Sequence, residues 1–205
     1  MNHFGLVIIG AHTGVYLIDE IELFKNEKIL LIEPVPHNLK ELRLNISKYK
    51  NVIIEPITIG KKKEIREFYF IKEESIRILK KHWASGIGSF SKEHILNHKT
   101  KRFKVDETHI DKINIQCLSI NQLIEKYSIS SITKLQIDAE GAEYEILSEL
   151  DLNKVIINKI LFEFKHFDGT FKEGNKLKEI LKKLENYQYK LIKIDNENML
   201  AEKKL

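Results

Sequence analysis

The chain has 205 residues, 42% of them hydrophobic and 31% charged, with a formal net charge of +4; this suits one substantial core and an ordinary globular protein. The positive excess is lysine mixed with glutamate, and only Arg43, Arg66, Arg77 and Arg102 offer the fork that reads phosphate and guanine, so nucleic acid is an unlikely partner on composition. Cys117 is the single cysteine, which excludes an intrachain disulfide; no secretory leader or bilayer-spanning apolar run is legible, and a soluble cytoplasmic protein is expected.

Residues 6–9 are a continuous apolar run, the mark of a strand buried on both faces. Residues 15–25 follow with Val15, Ile18, Ile21 and Leu23 or Phe24 at helical spacing. Residues 28–33 read as a second strand. Residues 36–46 read as a helix opened by Pro36, with Leu39, Leu42 and Ile46 on one face. Residues 52–55, between Asn51 and Pro56, read as a third strand. Strands alternating with helices predict an α/β fold: a mostly parallel sheet with helices on both faces.

The rhythm breaks over residues 60–114. An edge strand at 67–71 and a short helix at 76–82 precede Ser85-Gly86-Ile87-Gly88-Ser89-Phe90-Ser91, which is too rich in glycine and serine for a regular element. Residues 99–111 read as polar and exposed. Long irregular stretches in compact domains usually serve as lids or binding loops. Residues 72–114 are therefore expected to be a substrate-facing insertion in a single domain spanning 1–205, with Ser89 and Phe90 near the pocket.

Regularity returns with a short strand at 115–118, a helix at 120–127 capped by Ser119, and a strand at 132–137 that ends at Asp138. A helix at 142–150 and an apolar strand at 156–164, with Glu163 near its end, come next. A helix at 171–184, a strand at 189–194 and a hairpin partner at 199–202 complete the chain.

Three segments carry chemistry. Ile8-Ile9-Gly10-Ala11-His12-Thr13-Gly14 places two glycines at a strand-to-helix turn, where Gly10 permits a tight turn and Gly14 would admit a ligand at the helix start. The pattern lacks the middle glycine that admits a pyrophosphate; His12 stands there, which disfavours a dinucleotide and suits a nucleoside cofactor without phosphate. Glu33, followed by Pro34, ends the second strand, where a carboxylate can accept both ribose hydroxyls. Asp138-Ala139-Glu140-Gly141-Ala142-Glu143 puts Asp138 on the same rim; Glu140 and Glu143 suit either a helix cap or the site.

In these parts the chain resembles the FkbM family of S-adenosylmethionine-dependent methyltransferases. The likeness is carried by Gly10-Ala11-His12-Thr13-Gly14, by Ile32-Glu33-Pro34 with Pro36, Leu39 and Asn45, by Ile137-Asp138-Ala139-Glu140-Gly141-Ala142-Glu143, and by Leu161-Phe162-Glu163-Phe164. It implies a class I Rossmann-like methyltransferase fold with a seven-stranded sheet, S-adenosyl-L-methionine as cofactor, and O-methylation, often of a sugar or glycan hydroxyl. The cofactor-binding set is then Gly10, His12, Gly14, Glu33 and Asp138. Two positions depart from the family's first turn: Ile8 stands for an acid and His12 for an asparagine. Residues 72–114, or a partner subunit in a homodimer, would close the pocket.

Methyl transfer to a hydroxyl needs alignment and a base for its proton. The catalytic candidates are Asp138, Glu163 and His166. Asp138, Glu140, Glu163 and His166 could also ligate a divalent ion such as magnesium, but no metal is expected. Two rivals remain. An RNA methyltransferase would gather Lys61, Lys62, Lys63, Lys80, Lys81, Lys99, Lys101 and Arg102 around the pocket. A non-catalytic binding module would have its pocket blocked by Ile8 or His12.

Overall fold

A computed structural model describes the chain except for residues 81, 98–103, 169–171 and 205. In order the chain forms β1 (Asn2–Ile9), α1 (Ile18–Leu23), β2 (Ile29–Ile32), α2 (Pro36–Asn45) and β3 (Val52–Glu55). Next come β4 (Thr58–Gly60), β5 (Glu64–Ile71), α3 (Glu73–Leu79), β6 (Gly88–Ser89), α4 (Lys92–Asn97) and β7 (Ile110–Ser119). Last are α5 (Ile120–Lys126), β8 (Ile129–Ile137), α6 (Glu143–Glu149), β9 (Ile156–Glu163), α7 (Asn175–Asn186), β10 (Tyr189–Lys193) and β11 (Asn198–Lys203).

Seven strands make the main sheet, in the order β10-β11-β9-β8-β1-β2-β3. β1 pairs in parallel with both β2 and β8, and only β11 runs against its neighbours. The alternation in β1 explains the layering. Val7 and Ile9 face a core with α5, α6 and α7, through Leu123, Ile146 and Ile180. Leu6 and Ile8 face a second core with α1 and α2, through Ile21, Leu42 and Ile46. A strand apolar at every position is thus satisfied by helices on both sides. Ser119 caps α5 as read from sequence: its hydroxyl accepts from the Gln122 N–H (3.2 Å) and the Gln122 side chain accepts from the Ser119 N–H (3.0 Å).

Register fixes the site. Ile9 pairs with Ile32 on one side and Ile137 on the other, and Ile137 pairs with Phe162. Gly10, Glu33, Asp138 and Glu163 therefore share the carboxyl edge of the sheet. The chain goes from β1 outward to β2 and β3 and then returns to β8 on the other flank of β1. That reversal opens a crevice beyond the strand ends, where ligands of open α/β sheets bind.

The region read as irregular is more ordered than its sequence suggests. A second sheet, β4-β7-β5-β6, has β5 antiparallel to β7 along the whole length of β5. The strand expected at 67–71 begins at Glu64 and is flanked by β7 and β6, and the strand expected at 115–118 begins at Ile110. Val105 and Ile110, in a stretch read as exposed, are buried with Ile71, Ala84 and Ile95 in a small satellite core. The polar residues between them hid that pattern. The first residue of the helix expected at 171–184 lies outside the described residues; α7 starts at Asn175, after Gly174.

Candidate functional site

The turn after β1 is built by backbone conformation. Gly10 (φ +91°), His12 (φ +51°) and Gly14 (φ +75°) all take the left-handed region. Gly10 N–H and Ala11 N–H both donate to the Ile32 carbonyl (3.0 and 2.9 Å), and Asp138 N–H donates to the Ile9 carbonyl (2.9 Å). A Cβ on Gly10 would lie 1.8 Å from the Asp138 carbonyl oxygen, so the turn and the end of β8 are in direct contact. Gly14 serves a different partner: a Cβ there would meet Leu42 of α2 at 2.5 Å. Its smallness lets α2 pack against the turn, and it does not line either cavity described below.

Glu33 is buried and clamps the turn. Its Oε2 accepts from the His12 N–H (2.8 Å); its Oε1 accepts from the Val35 N–H (2.9 Å) and, more weakly, from the Asn38 amide (3.4 Å). Burial pushes its pKa up to about 7, against the pull of those donors. A carboxylate has about four lone-pair positions, so acceptor capacity is left toward the cleft. Asn38 also donates to the Ser85 carbonyl (2.7 Å), and the His12 ring meets the Ser85 hydroxyl (2.6 Å). Sequence reading missed Asn38 and Ser85. Asn38 is a polar residue on the first turn of α2 that is wholly buried, and only the structure reveals that burial.

The 138–143 segment has its own clamp. Glu140 (φ +48°) and Gly141 (φ +102°) form a left-handed turn, and buried Glu143 accepts from the Ala139 N–H (2.7 Å) and the Gly141 N–H (3.0 Å). Of the two roles open to Glu143 from sequence, the loop clamp is the one realised. Burial pushes its pKa up to about 8. Asp138 is exposed on the cleft floor; partial desolvation by the surrounding protein, with the neighbouring Glu140 charge, raises its pKa to about 6.

Asp138, Glu143 and Glu163 present oxygens that all lie within 4.8 Å of one another. Burial raises Glu163 to about 8, opposed by Lys165, whose ammonium pairs with Glu163 (2.6 Å) and Glu197 (3.2 Å). Burial alone would lower the pKa of Lys165, but the Glu163 contact outweighs it and the net shift is upward. His166 stands 3.9 Å from Glu163 and 4.0 Å from Glu140. The structure thus brings all three catalytic candidates together at the ends of β8 and β9.

Two cavities meet at Gly10, Glu33, Gly86 and Asp138. One is a small apolar slot of about 50 Å³ flanked by Val35, Ile57, Phe68 and Phe90. The other is a wider cleft of about 460 Å³ that adds His12, Tyr16, Glu41, Trp83 and Glu140. Ile8 faces the α1–α2 core and does not obstruct either cavity. His12 lines the wider cleft without closing it. Lys81, Lys99, Lys101 and Arg102 of the basic set lie outside the described residues.

Residues 9–191 match the Methyltransferase FkbM domain family. The chain belongs to that family. It is an S-adenosylmethionine-dependent methyltransferase. No curated protein matches the chain by sequence. Among solved structures, this FkbM protein is similar to a candidate rRNA-methylase from Clostridium thermocellum (TM-score 0.51, 10% identity, covering 100% of this chain and 90% of the other). It is equally similar to a chain of a fibrillarin/Nop5p complex (TM-score 0.51, 12% identity, covering 100% and 73%). At such identities the likeness is one of fold, the Rossmann-like α/β methyltransferase fold. Among the described residues no helix is long and apolar enough to cross a membrane.

The residues present fit the cofactor that the family uses. A buried carboxylate with spare acceptor capacity sits at the end of β2, an apolar slot adjoins it, and the Gly10 backbone borders both.

Proposed function

We propose that this FkbM methyltransferase O-methylates a hydroxyl of a sugar or glycan, with Asp138 as the group that takes the hydroxyl proton. The observation that carries the reading is the make-up of the wider cleft. Glu33, Glu41, Asp138 and Glu140 line it, beside the exposed rings of Tyr16 and Trp83. Carboxylates accept hydrogen bonds from hydroxyls and repel phosphate, and aromatic faces suit the apolar faces of pyranose rings. A nucleic-acid acceptor would ask for the opposite charge.

In this assignment Glu33 holds the ribose hydroxyls, the Gly10–His12 turn borders the methionine end, and Val35, Ile57 and Phe68 enclose the base. The bound cofactor supplies an electrophilic sulfonium methyl. Asp138 accepts the acceptor's proton as the new O–C bond forms and the C–S bond breaks, its electron pair remaining on sulfur. Glu163, whose carboxylate lies within 4.8 Å of that of Asp138, positions it, with His166 3.9 Å from Glu163. Trp83, within the 72–114 stretch, faces the acceptor.

The test is transfer of labelled methyl groups from S-adenosylmethionine to neutral oligosaccharides and, in parallel, to RNA. A methyl ether on a sugar, with turnover cut at least about 100-fold by Asp138→Asn, is the expected result. Label in RNA alone would refute the acceptor, and full turnover by D138N would remove Asp138 as the base.

A further inference from the structure

Beside the cleft lies a group of side chains that includes His94, a residue with no part in the methyl-transfer reading. His94 on α4, Glu140 in the left-handed turn after β8, and His166 in the turn after β9 each offer one ligand atom, and these three atoms lie within 4.8 Å of one another. His94 Nε2 is 3.8 Å from Glu140 Oε2, and His166 Nε2 is 4.0 Å from that same oxygen. The two imidazoles meet edge to face with ring centroids 4.8 Å apart.

We propose that His94, Glu140 and His166 bind a divalent first-row transition ion of the zinc class. Two imidazole nitrogens and one carboxylate are the ligand set of three-ligand zinc and related sites, which keep a position open for substrate. Nitrogen donors count against magnesium and calcium, which prefer oxygen. Metal–ligand bonds of about 2.0–2.1 Å put tetrahedral donors about 3.3 Å apart. From 3.8 and 4.0 Å, and at most 4.8 Å between the two imidazoles, the donors need to close by about 0.5–1.5 Å, within reach of side-chain rotations.

A second observation points into the same place. Glu163 is 7% exposed, and its Oε2 makes no hydrogen bond among the described residues while lying 3.9 Å from His166 Nε2. Its other oxygen is held by Lys165, whose charge is shared with Glu197. A buried carboxylate oxygen aimed at the triad is a ready fourth donor, or a partner for a ligating imidazole. Four carboxylates, Asp138, Glu140, Glu143 and Glu163, crowd this end of the sheet, and a dication there offsets their repulsion.

The scaffold is shaped for the group. Gly141 at φ +102° lies under His94, where a Cβ would come 3.4 Å from the ring. Glu143 holds that turn through two backbone N–H groups. Glu140 lines the acceptor cleft together with Asp138, so an ion held by the three residues would lie beside that cleft. Its use as a Lewis acid that makes the hydroxyl more acidic rests on the acceptor assignment above; metal binding itself does not.

The full chain, stripped with a chelator, is titrated with Co²⁺ and followed by visible d–d absorption, then with competing Zn²⁺. One Co²⁺ per chain, with the intense bands of a four- or five-coordinate nitrogen-containing site and displacement by Zn²⁺, is expected. His94→Ala and Glu140→Gln should each weaken binding at least tenfold, with unchanged far-UV circular dichroism. S-adenosylhomocysteine binding, read calorimetrically on the same samples, should persist in H94A; its loss in the wild type bears on the cofactor cleft alone. Absence of stoichiometric Co²⁺ and Zn²⁺ binding, or equal binding by both folded variants, overturns the site.

Discussion

Gly10→Ala is the most severe small change the structure points to. The native φ of +91° costs any L-residue about 1–2 kcal/mol. The new Cβ would sit 1.8 Å from the Asp138 carbonyl oxygen and 2.9 Å from its carbon. Both are backbone atoms, so no side-chain rotation relieves the clash; the 138–139 peptide or the turn itself must move by more than an ångström. The three hydrogen bonds that tie Gly10 and Ala11 to Ile32 and Asp138 to Ile9 resist that movement. Losing one or two of them costs about 1 kcal/mol each. The total is about 2–4 kcal/mol, against a typical domain stability of about 5–15 kcal/mol. In thermal denaturation this is a fall in Tm of about 10 °C. The same movement displaces Asp138, so turnover should fall further than stability alone explains. Gly86→Ala is the control, since a Cβ there meets nothing within 4 Å and should leave Tm unchanged or slightly higher. A Gly10→Ala protein that melts with the wild type would refute the described contact between the turn and β8.

Two further outcomes are expected. The folded protein holds the Glu33 proton up to about pH 7, whereas the unfolded chain releases it near the ordinary carboxylate value of 4.5. Stability from this group is therefore fully present at acid pH and is lost as pH rises to 7. Denaturant unfolding of the wild type relative to Glu33→Gln should lose about 2 kcal/mol from about pH 5 to pH 8, and a difference that is flat or rises with pH would show that Glu33 is not the buried carboxyl described. Ser119→Ala removes one half of the capping box on α5; it should cost about 1 kcal/mol, or about 2–4 °C in Tm, without changing cofactor affinity.

Much of the site was legible because its chemistry is local. A glycine turn after a doubly buried strand, an acid ending the next strand and Asp138 ending another are placed on one rim by topology alone, and the register of β1 with β2 and β8 puts them there. Other parts needed coordinates. Sequence reading proposes Glu33 as a ribose acceptor; the clamp it forms on the His12 turn depends on a backbone N–H that no side-chain pattern reveals. Gly14 was read as making room for a ligand, and it makes room for Leu42. The second sheet was hidden because β5 alternates charged and apolar residues over only part of its length, while β6 is two residues long. His94 carried no signal in the sequence. It stands on a short helix in the insertion and reaches Glu140 and His166 only through tertiary packing.

Calorimetric titration with S-adenosylhomocysteine tests the cofactor cleft most directly, comparing the wild type with Glu33→Ala. One molecule bound per chain by the wild type, and an affinity at least about tenfold weaker in E33A from the lost hydrogen bonds to a charged acceptor, is the predicted result. A wild type that gives no heat, or a variant that binds as tightly as the wild type, would contradict the placement of the ribose at the end of β2.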